Sequence, residues 1–208
     1  AAGAGAVVVT SMVRGKGISM KDGIKQAVND IIVFLDADIN PYPEETIKRL
    51  TTPLLLDEVD FVKGTFGRNA GRVTELVAKP LLSIFYPGLA GYTQPLSGMI
   101  AGRKQFFNKI DFFNDYGVDI GILLDMYLMK ARIKEVDIGY IDNKSKPWEA
   151  LGKMSKEVAK AIITRAQQQN PADVVRADME TIEAINLELH RAVQENLSEF
   201  RKMAIFDM

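Results

Sequence analysis

The chain has 208 residues, 47% of them hydrophobic, with 26 Lys and Arg against 27 Asp and Glu and a net charge of −1. That is enough for one sizeable domain, or a domain with an appendage, and it excludes a disordered protein. Near-neutrality gives no electrostatic basis for binding nucleic acid or an anionic membrane. With no cysteine there are no disulfides, thiolate metal sites or cysteine nucleophile, and a reducing, cytoplasmic setting is expected. One histidine, His190, leaves little room for a His-based triad or a His-rich metal site. No apolar stretch is long enough to span a bilayer, and no basic-then-apolar signal opens the chain.

The chain begins Ala1-Ala2-Gly3-Ala4-Gly5-Ala6 without an initiator methionine, which reads as an internal starting point with preceding sequence absent. Residues 6–10 predict a strand around Val7-Val8-Val9. Gly15-Lys16-Gly17 follows, then a helical pattern with Met20, Ile24 and Ala27 on one face. Glycines around a lysine between strand and helix let backbone N–H groups and an ammonium approach a phosphate. A plain turn with a solvated lysine is the alternative.

Ile31-Ile32-Val33-Phe34-Leu35 is an unbroken apolar run that stops at Asp36-Ala37-Asp38. Such a run predicts a strand buried on both faces, as in the middle of a parallel sheet. In open α/β sheets, ligands bind beyond the carboxyl ends of strands. Asp36 and Asp38 lie there, two apart and so pointing the same way in extended chain. They could share one hard cation, Mg²⁺ or Mn²⁺, or cap the turn at Asn40-Pro41-Tyr42-Pro43. Pro43, Glu44 and Glu45 predict a helix start, with Pro53 ending or bending that helix. Asp60-Phe61-Val62-Lys63-Gly64 predicts the next strand, completing the strand–helix alternation of a parallel sheet.

The polar stretch from Thr65 to Arg72 leads into a helical pattern through Val73, Leu76, Val77, Leu81 and Ile84, with a kink expected at Pro80. Arginines and N–H groups at a helix start form an anion cradle, unless the loop is simply solvated. Leu96 to Ala101 predicts a strand, followed by a short helix near Arg103 to Phe107. Asp119 opens an apolar helix over 120–129, as its cap or as a site carboxylate. A last strand is expected over 133–140. From Glu149 two helical patterns remain, roughly 149–168 and 172–203, the second amphipathic and seeking a partner. His190 lies there as a surface or interface residue. The domains are accordingly 1–148 and a helical extension, 149–208.

Several of these motifs together resemble one group. Gly15-Lys16-Gly17 followed by Phe34-Leu35-Asp36-Ala37-Asp38 is similar to the layout of the GT-A fold of nucleotide-sugar glycosyltransferases. Gly71-Arg72-Val73-Thr74-Glu75-Leu76-Val77-Ala78-Lys79-Pro80-Leu81-Leu82 resembles the acceptor segment of glucosyl-3-phosphoglycerate synthases and their mannosyl relatives. Gln94-Pro95-Leu96-Ser97-Gly98, Tyr116-Gly117-Val118-Asp119-Ile120-Gly121 and Leu151-Gly152-Lys153-Met154-Ser155 follow in that family's order.

The resemblance, over about residues 1–165, implies an α/β GT-A fold. Its sheet is Rossmann-like and mostly parallel, its first strands precede residue 1, and a C-terminal helical extension follows. It implies a metal-dependent retaining transferase that moves a hexose from a nucleotide-diphosphate sugar to the 2-hydroxyl of 3-phosphoglycerate. By that resemblance Lys16, Asp36 and Ala37 bind the donor, and Gly71, Arg72 and Thr74 bind the acceptor. Asp38 and Asp119 are the catalytic carboxylates, and Asp38 with Asn143 holds Mg²⁺ or Mn²⁺. A homodimer is expected.

Two positions depart from the family. Ser97-Gly98-Met99 stands where the family has Gly-Gly-Glu, so Met99 replaces a sugar-binding carboxylate. Asn143-Lys144-Ser145-Lys146 stands where it has His-Arg-Asn-Arg, so a neutral amide replaces a metal-binding histidine. The rival readings are a related transferase with another donor or small anionic acceptor, a nucleotidyltransferase, and a non-catalytic sugar-nucleotide-binding protein.

Overall fold

The structure, a computed structural model, describes residues 3, 5–39, 41–67, 71–141 and 148–169. Its sheet has four strands: β1 (Ile31–Phe34), β2 (Phe61–Thr65), β3 (Ile100–Arg103) and β4 (Ile133–Asp137), in the order β1-β3-β2-β4. β3 runs antiparallel to both β1 and β2, while β2 and β4 are parallel. β1 and β2 therefore run the same way, as the strand–helix alternation predicts, with β3 inserted between them. The sheet is mixed rather than wholly parallel. The insertion sets Phe34 opposite Ile100 and Val62 opposite Ala101.

One face of the sheet packs on α2 (Thr46–Leu55). Leu50 and Leu54 meet Val62, Met99 and Ala101 there, joined by Val59, Ile39 and Ile138. Pro53 lies inside α2, which runs two residues further. It sits in the last turn, where one missing N–H interrupts little. On the other face, Phe61 and Phe107 meet edge to face, 6.2 Å apart between ring centres. Phe107 belongs to the short α4 (Lys104–Phe107), and the buried α5 (Val118–Leu128) follows it in the chain. α5 is buried nearly all round, so its residues carry no amphipathic stripe. It is tied to α6 (Trp148–Gln169) by Arg165, whose guanidinium bonds both oxygens of Asp125 at 2.7 and 2.9 Å.

Three expectations change. Residues 6–10 form no strand: Val7 is 89% exposed and Val9 44%. A strand exists only as a member of a ladder, and no described strand lies alongside, so β-branched composition alone does not make one. β3 starts at Ile100 rather than Leu96 and runs to Arg103, past the expected end, while β4 is shorter than expected because it ends with its partner β2. The helix before Pro80 is a π turn over Thr74–Ala78 that passes into α3 (Lys79–Phe85). Pro80 has no N–H to offer, and the Lys79 N–H reaches back five residues to the Thr74 carbonyl. The kink expected from proline thus takes the form of a widened turn.

By internal packing the chain divides into two compact units, residues 1–165 and 166–208. The pattern at 172–203 and His190 lie outside the described residues. No described helix is long and apolar enough to cross a membrane.

Candidate functional site

The C-terminal end of β1 opens onto a cleft of about 970 Å³. Lys16, Asp36, Ala37, Asp38, Gly71, Arg72, Thr74 and Asp119 all line it. Asn143 lies outside the described residues.

Lys16 is the first residue of α1 (Lys16–Gln26), whose Met20 and Ile24 are buried as the helical pattern predicts. Its ammonium bridges two carboxylates, donating to Asp36 Oδ1 at 3.0 Å and to Asp119 Oδ2 at 2.7 Å. Burial works against the charge on Lys16, but Asp119 and Asp36 outweigh it and hold its pKa above the ordinary lysine range. Burial pushes the Asp119 pKa up, opposed by Lys16 and Lys63. The solvated-lysine reading of Lys16 does not hold. The flanking glycines do not surround a free loop either. A Cβ at Gly17 would collide with the Phe113 carbonyl, so glycine there lets α1 close on the 113–114 backbone.

Asp119 is not the cap of α5. Gly117 occupies that position, and Asp115 Oδ1 accepts the Gly117 N–H at 2.9 Å. Asp119 lies in the first helical turn, 4% exposed, with Oδ2 on Lys16. Its Oδ1 is buried and has no hydrogen-bond partner among the described residues. A buried carboxylate oxygen left unpaired beside a cleft costs free energy that a donor from a bound ligand can recover.

Asp36 does not cap the following turn with its side chain. Its carboxylate is on Lys16, and its carbonyl accepts the Tyr42 hydroxyl at 2.8 Å. Burial and the Asp36 charge push Tyr42 up to about 12, so this hydroxyl remains a donor. Asp38 is exposed in the cleft. No group of three or more His, Cys, Asp or Glu among the described residues is arranged to hold a metal ion. One free-standing carboxylate in an open cleft suits a cation that keeps its waters and takes further oxygens from a phosphate, as Mg²⁺ does. It does not suit a closed protein cage.

The acceptor-type loop ends in a helix start. The Glu75 N–H donates to the Gly71 carbonyl at 3.1 Å, which places Arg72 and Thr74 in the first turn, with Thr74 buried. N–H groups there have no intrahelical acceptor and favour an anion.

Sequence reasoning did not single out two residues. A Cβ at Gly98 would lie 2.6 Å from both Asp36 oxygens and 2.8 Å from the Lys16 ammonium. Glycine lets this backbone pass the ion pair without shifting its side chains. Its segment is fixed by the Glu135 carboxylate, which accepts the N–H groups of Thr93 and Gln94 at 2.9 and 3.0 Å. The second is Lys63, fully buried in β2. Its signal was a lysine inside an otherwise apolar strand. Met99, expected where a sugar-binding carboxylate stands in the family, borders the cleft but is packed into the core with Leu50, Leu54 and Val62.

A mixed α/β sheet with acidic groups beyond its first described strand, a lysine bridging them and an anion-type helix start defines a nucleotide-sugar transferase architecture. The chain belongs to glycosyl transferase family 2, whose family model matches residues 5–113. Within that family it is similar to glucosyl-3-phosphoglycerate synthases. It is 34% identical to the Petrotoga mobilis synthase over 175 residues, 77% of this chain and 54% of that protein. It is 36% identical to the Mycolicibacterium smegmatis synthase over 165 residues, 73% and 54% of the two chains. The chain thus spans about half the length of the curated relatives it matches.

Among solved structures it matches the Mycobacterium tuberculosis synthase in complex with Mn²⁺, UDP-glucose and phosphoglyceric acid. The TM-score is 0.74 at 33% identity, covering 79% of this chain and 62% of that one. The same enzyme with Mn²⁺, UDP-glucose and glycerol 3-phosphate gives a TM-score of 0.70 at 34% identity, covering 76% and 57%. The fold is GT-A.

Proposed function

We propose that the protein is a metal-dependent retaining hexosyltransferase that moves glucose from a nucleotide-diphosphate sugar to 3-phosphoglycerate. The observation that carries this reading is the meeting, in one cleft, of the Lys16–Asp36–Asp119 cluster, Asp38 and the Gly71–Arg72–Thr74 helix start. A transfer between two anionic substrates needs both kinds of surface. The similarity to synthases crystallised with UDP-glucose and phosphoglyceric acid supports the same assignment.

In this mechanism the donor occupies the end of β1, where Lys16, Asp36 and Ala37 contact it. Arg72 and Thr74, with the N–H groups of the first turn, hold the phosphate or carboxylate of the acceptor. Guanidinium and N–H donors to an anion make charge-assisted hydrogen bonds, which fix orientation as well as add affinity. Asp119 offers its unpaired oxygen to a hexose hydroxyl, or to positive charge developing at the anomeric carbon. Asp38, with Asn143, would hold Mg²⁺ or Mn²⁺, which when bound supplies Lewis-acid neutralisation of the leaving diphosphate. We assign these groups to a transferase domain over 1–148 and propose, from the sequence pattern of 149–208, an extension suited to a homodimer in a reducing cytoplasm.

The test is nucleoside diphosphate release from a panel of nucleotide sugars with Mg²⁺, with and without 3-phosphoglycerate. Release that depends on 3-phosphoglycerate is expected, with UDP-glucose as donor. A second reading, another small anionic acceptor, is favoured by Met99 in the core and by the relative that accommodates glycerol 3-phosphate. It predicts release stimulated by glycerol 3-phosphate and not by 3-phosphoglycerate. Pyrophosphate release would instead identify a nucleotidyltransferase. No release with any acceptor would identify a binding protein.

A further inference from the structure

β2 carries a lysine at a position that its neighbours make apolar. Lys63 lies in register with Ile100 of β3 and Glu135 of β4, in a strand flanked on both sides, and is 0% exposed. A buried ammonium costs several kcal/mol unless its protons and charge find partners. The partner is in the site: Lys63 Nζ donates to the Asp119 carbonyl at 2.9 Å. The two residues are 56 apart in sequence, so this bond ties the middle of the sheet to the first turn of α5.

The charged groups around Lys63 come from every element near it. Asp119 of α5, Glu135 of β4 and Asp36 beyond β1 favour its ammonium form, and Lys16 of α1 opposes it. Asp119 is in turn faced by Lys16, Lys63 and Asp36. Lys16 takes one oxygen of Asp119 directly, and the other oxygen has no hydrogen-bond partner among the described residues. Lys63 therefore holds the backbone of a residue whose carboxylate it also attracts.

We propose that Lys63 is a positioning residue acting through Asp119: it anchors the first turn of α5 from inside the sheet, so that the Asp119 carboxylate stays ionic and faces the cleft. The kinetic part of this rests on the glycosyl-transfer reading, while the effect on Asp119 itself does not. Burial lowers the Lys63 pKa to about 8, so its charge, and with it the field on Asp119, weakens through mildly alkaline pH.

The test is a ¹³C NMR titration of the Asp119 carboxyl in the protein and in its Lys63→Met and Lys63→Gln variants, with Asp119→Asn assigning the signal. Lys63→Met removes charge and donor, whereas Lys63→Gln removes the charge and retains an N–H donor one bond shorter. The expected result is an Asp119 titration displaced to higher pH by at least about one unit, a tenfold change in its protonation equilibrium. In the transfer assay, kcat is expected to fall at least about tenfold, with KM for donor and acceptor little changed and the acid limb of the pH–rate profile moved the same way. Lys63→Met added to Asp119→Asn should cause no further loss, because the lysine acts through the residue already removed.

An unchanged Asp119 titration in a folded variant overturns the proposal, as does a full additional loss in the double variant. If neither variant folds, Lys63 is a folding residue and the proposal fails. If the parent protein transfers no sugar, the functional reading fails, and the NMR titration still decides the role of Lys63.

Discussion

Each end of the sheet carries a cluster of lysine or arginine with aspartate, and the two are built in opposite ways. At one end Arg132 and Arg103 bind Asp57 and Asp60, just before β2 and β4 and at the end of β3. Arg132 alone donates to both Asp60 oxygens, at 3.0 and 2.9 Å, and to Asp57. The network is mostly solvated, and Asp57 and Asp60 are held below the usual carboxylate range by Arg132 hydrogen bonds. At the other end Lys16, Asp36, Asp119 and Lys63 are part-buried or buried, and one carboxylate oxygen is left over. The solvated network joins strand ends, and what exposed Asp57 leaves unpaired is met by water. The open one keeps an unmet hydrogen bond where a substrate can reach it. Charge clusters are therefore told apart by what they leave unsatisfied, not by their composition.

The comparison breaks most sharply at Lys16. Lys16→Met leaves Asp36 and Asp119 without their shared cation, and removing one partner of a buried pair typically costs about 3–5 kcal/mol. Thermal unfolding should register that loss, and transfer activity should disappear. Arg72→Ala comes next: acceptor affinity should fall by about 1.5–3 kcal/mol, the worth of a charge-assisted hydrogen bond, with donor affinity held. Isothermal calorimetry with each substrate measures the two separately, and equal losses would remove Arg72 from the acceptor site. Calorimetry also reads Asp38→Ala, which should abolish Mg²⁺ or Mn²⁺ binding. Unchanged metal affinity would place the ion elsewhere.

Gly98→Ala should cost little stability but shift the Asp36–Lys16 pair, whose side-chain ends the new methyl meets. Its signature is a raised KM for the nucleotide sugar with the acceptor KM unchanged. At the other end of the sheet, Arg132→Ala should leave kcat and both KM values as they are and lower the melting temperature by more than an isolated surface pair would, because Arg132 holds both Asp60 oxygens within a network.

A pH series separates the two ends as well. Lys63 has a folded-state pKa of about 8 against 10.5 in the unfolded chain. Between those values the unfolded chain binds more protons, so this residue's contribution to stability rises with pH across that window. Urea titrations from pH 7 to 10 should lose that rise in Lys63→Met and keep it in Arg132→Ala.

Much of the site was legible because the signals are local. An apolar run halted by Asp36-Ala37-Asp38 marks a strand end. Gly15-Lys16-Gly17 marks a loop before a helix, and Gly71-Arg72 marks an anion-type helix start. Pairings were not legible. That Lys16 bridges Asp36 and Asp119, 103 residues from Lys16, depends on α1 and α5 meeting in three dimensions. Gly98 stood inside the strand expected over 96–101, and nothing local shows the ion pair beside it. Lys63 was legible only as a member of a strand, because the carbonyl that satisfies it belongs to another element. Residues 6–10 show the converse: strong local propensity with no ladder to join. The place of β3 between β1 and β2 is likewise a property of the sheet and of no single segment.

The widened turn at Thr74–Ala78 has a consequence for how this cleft tolerates change. A π turn holds one residue more than a regular helix, and one residue is about 100° of helical phase. Because the widened turn already absorbs that residue, deleting one between Thr74 and Ala78 would return the helix to a regular pitch with Arg72 still in phase with α3, which keeps its seat through Leu81 and Leu82. A one-residue deletion here thus keeps the arginine's aim, where the same deletion in a regular helix would turn it by that angle.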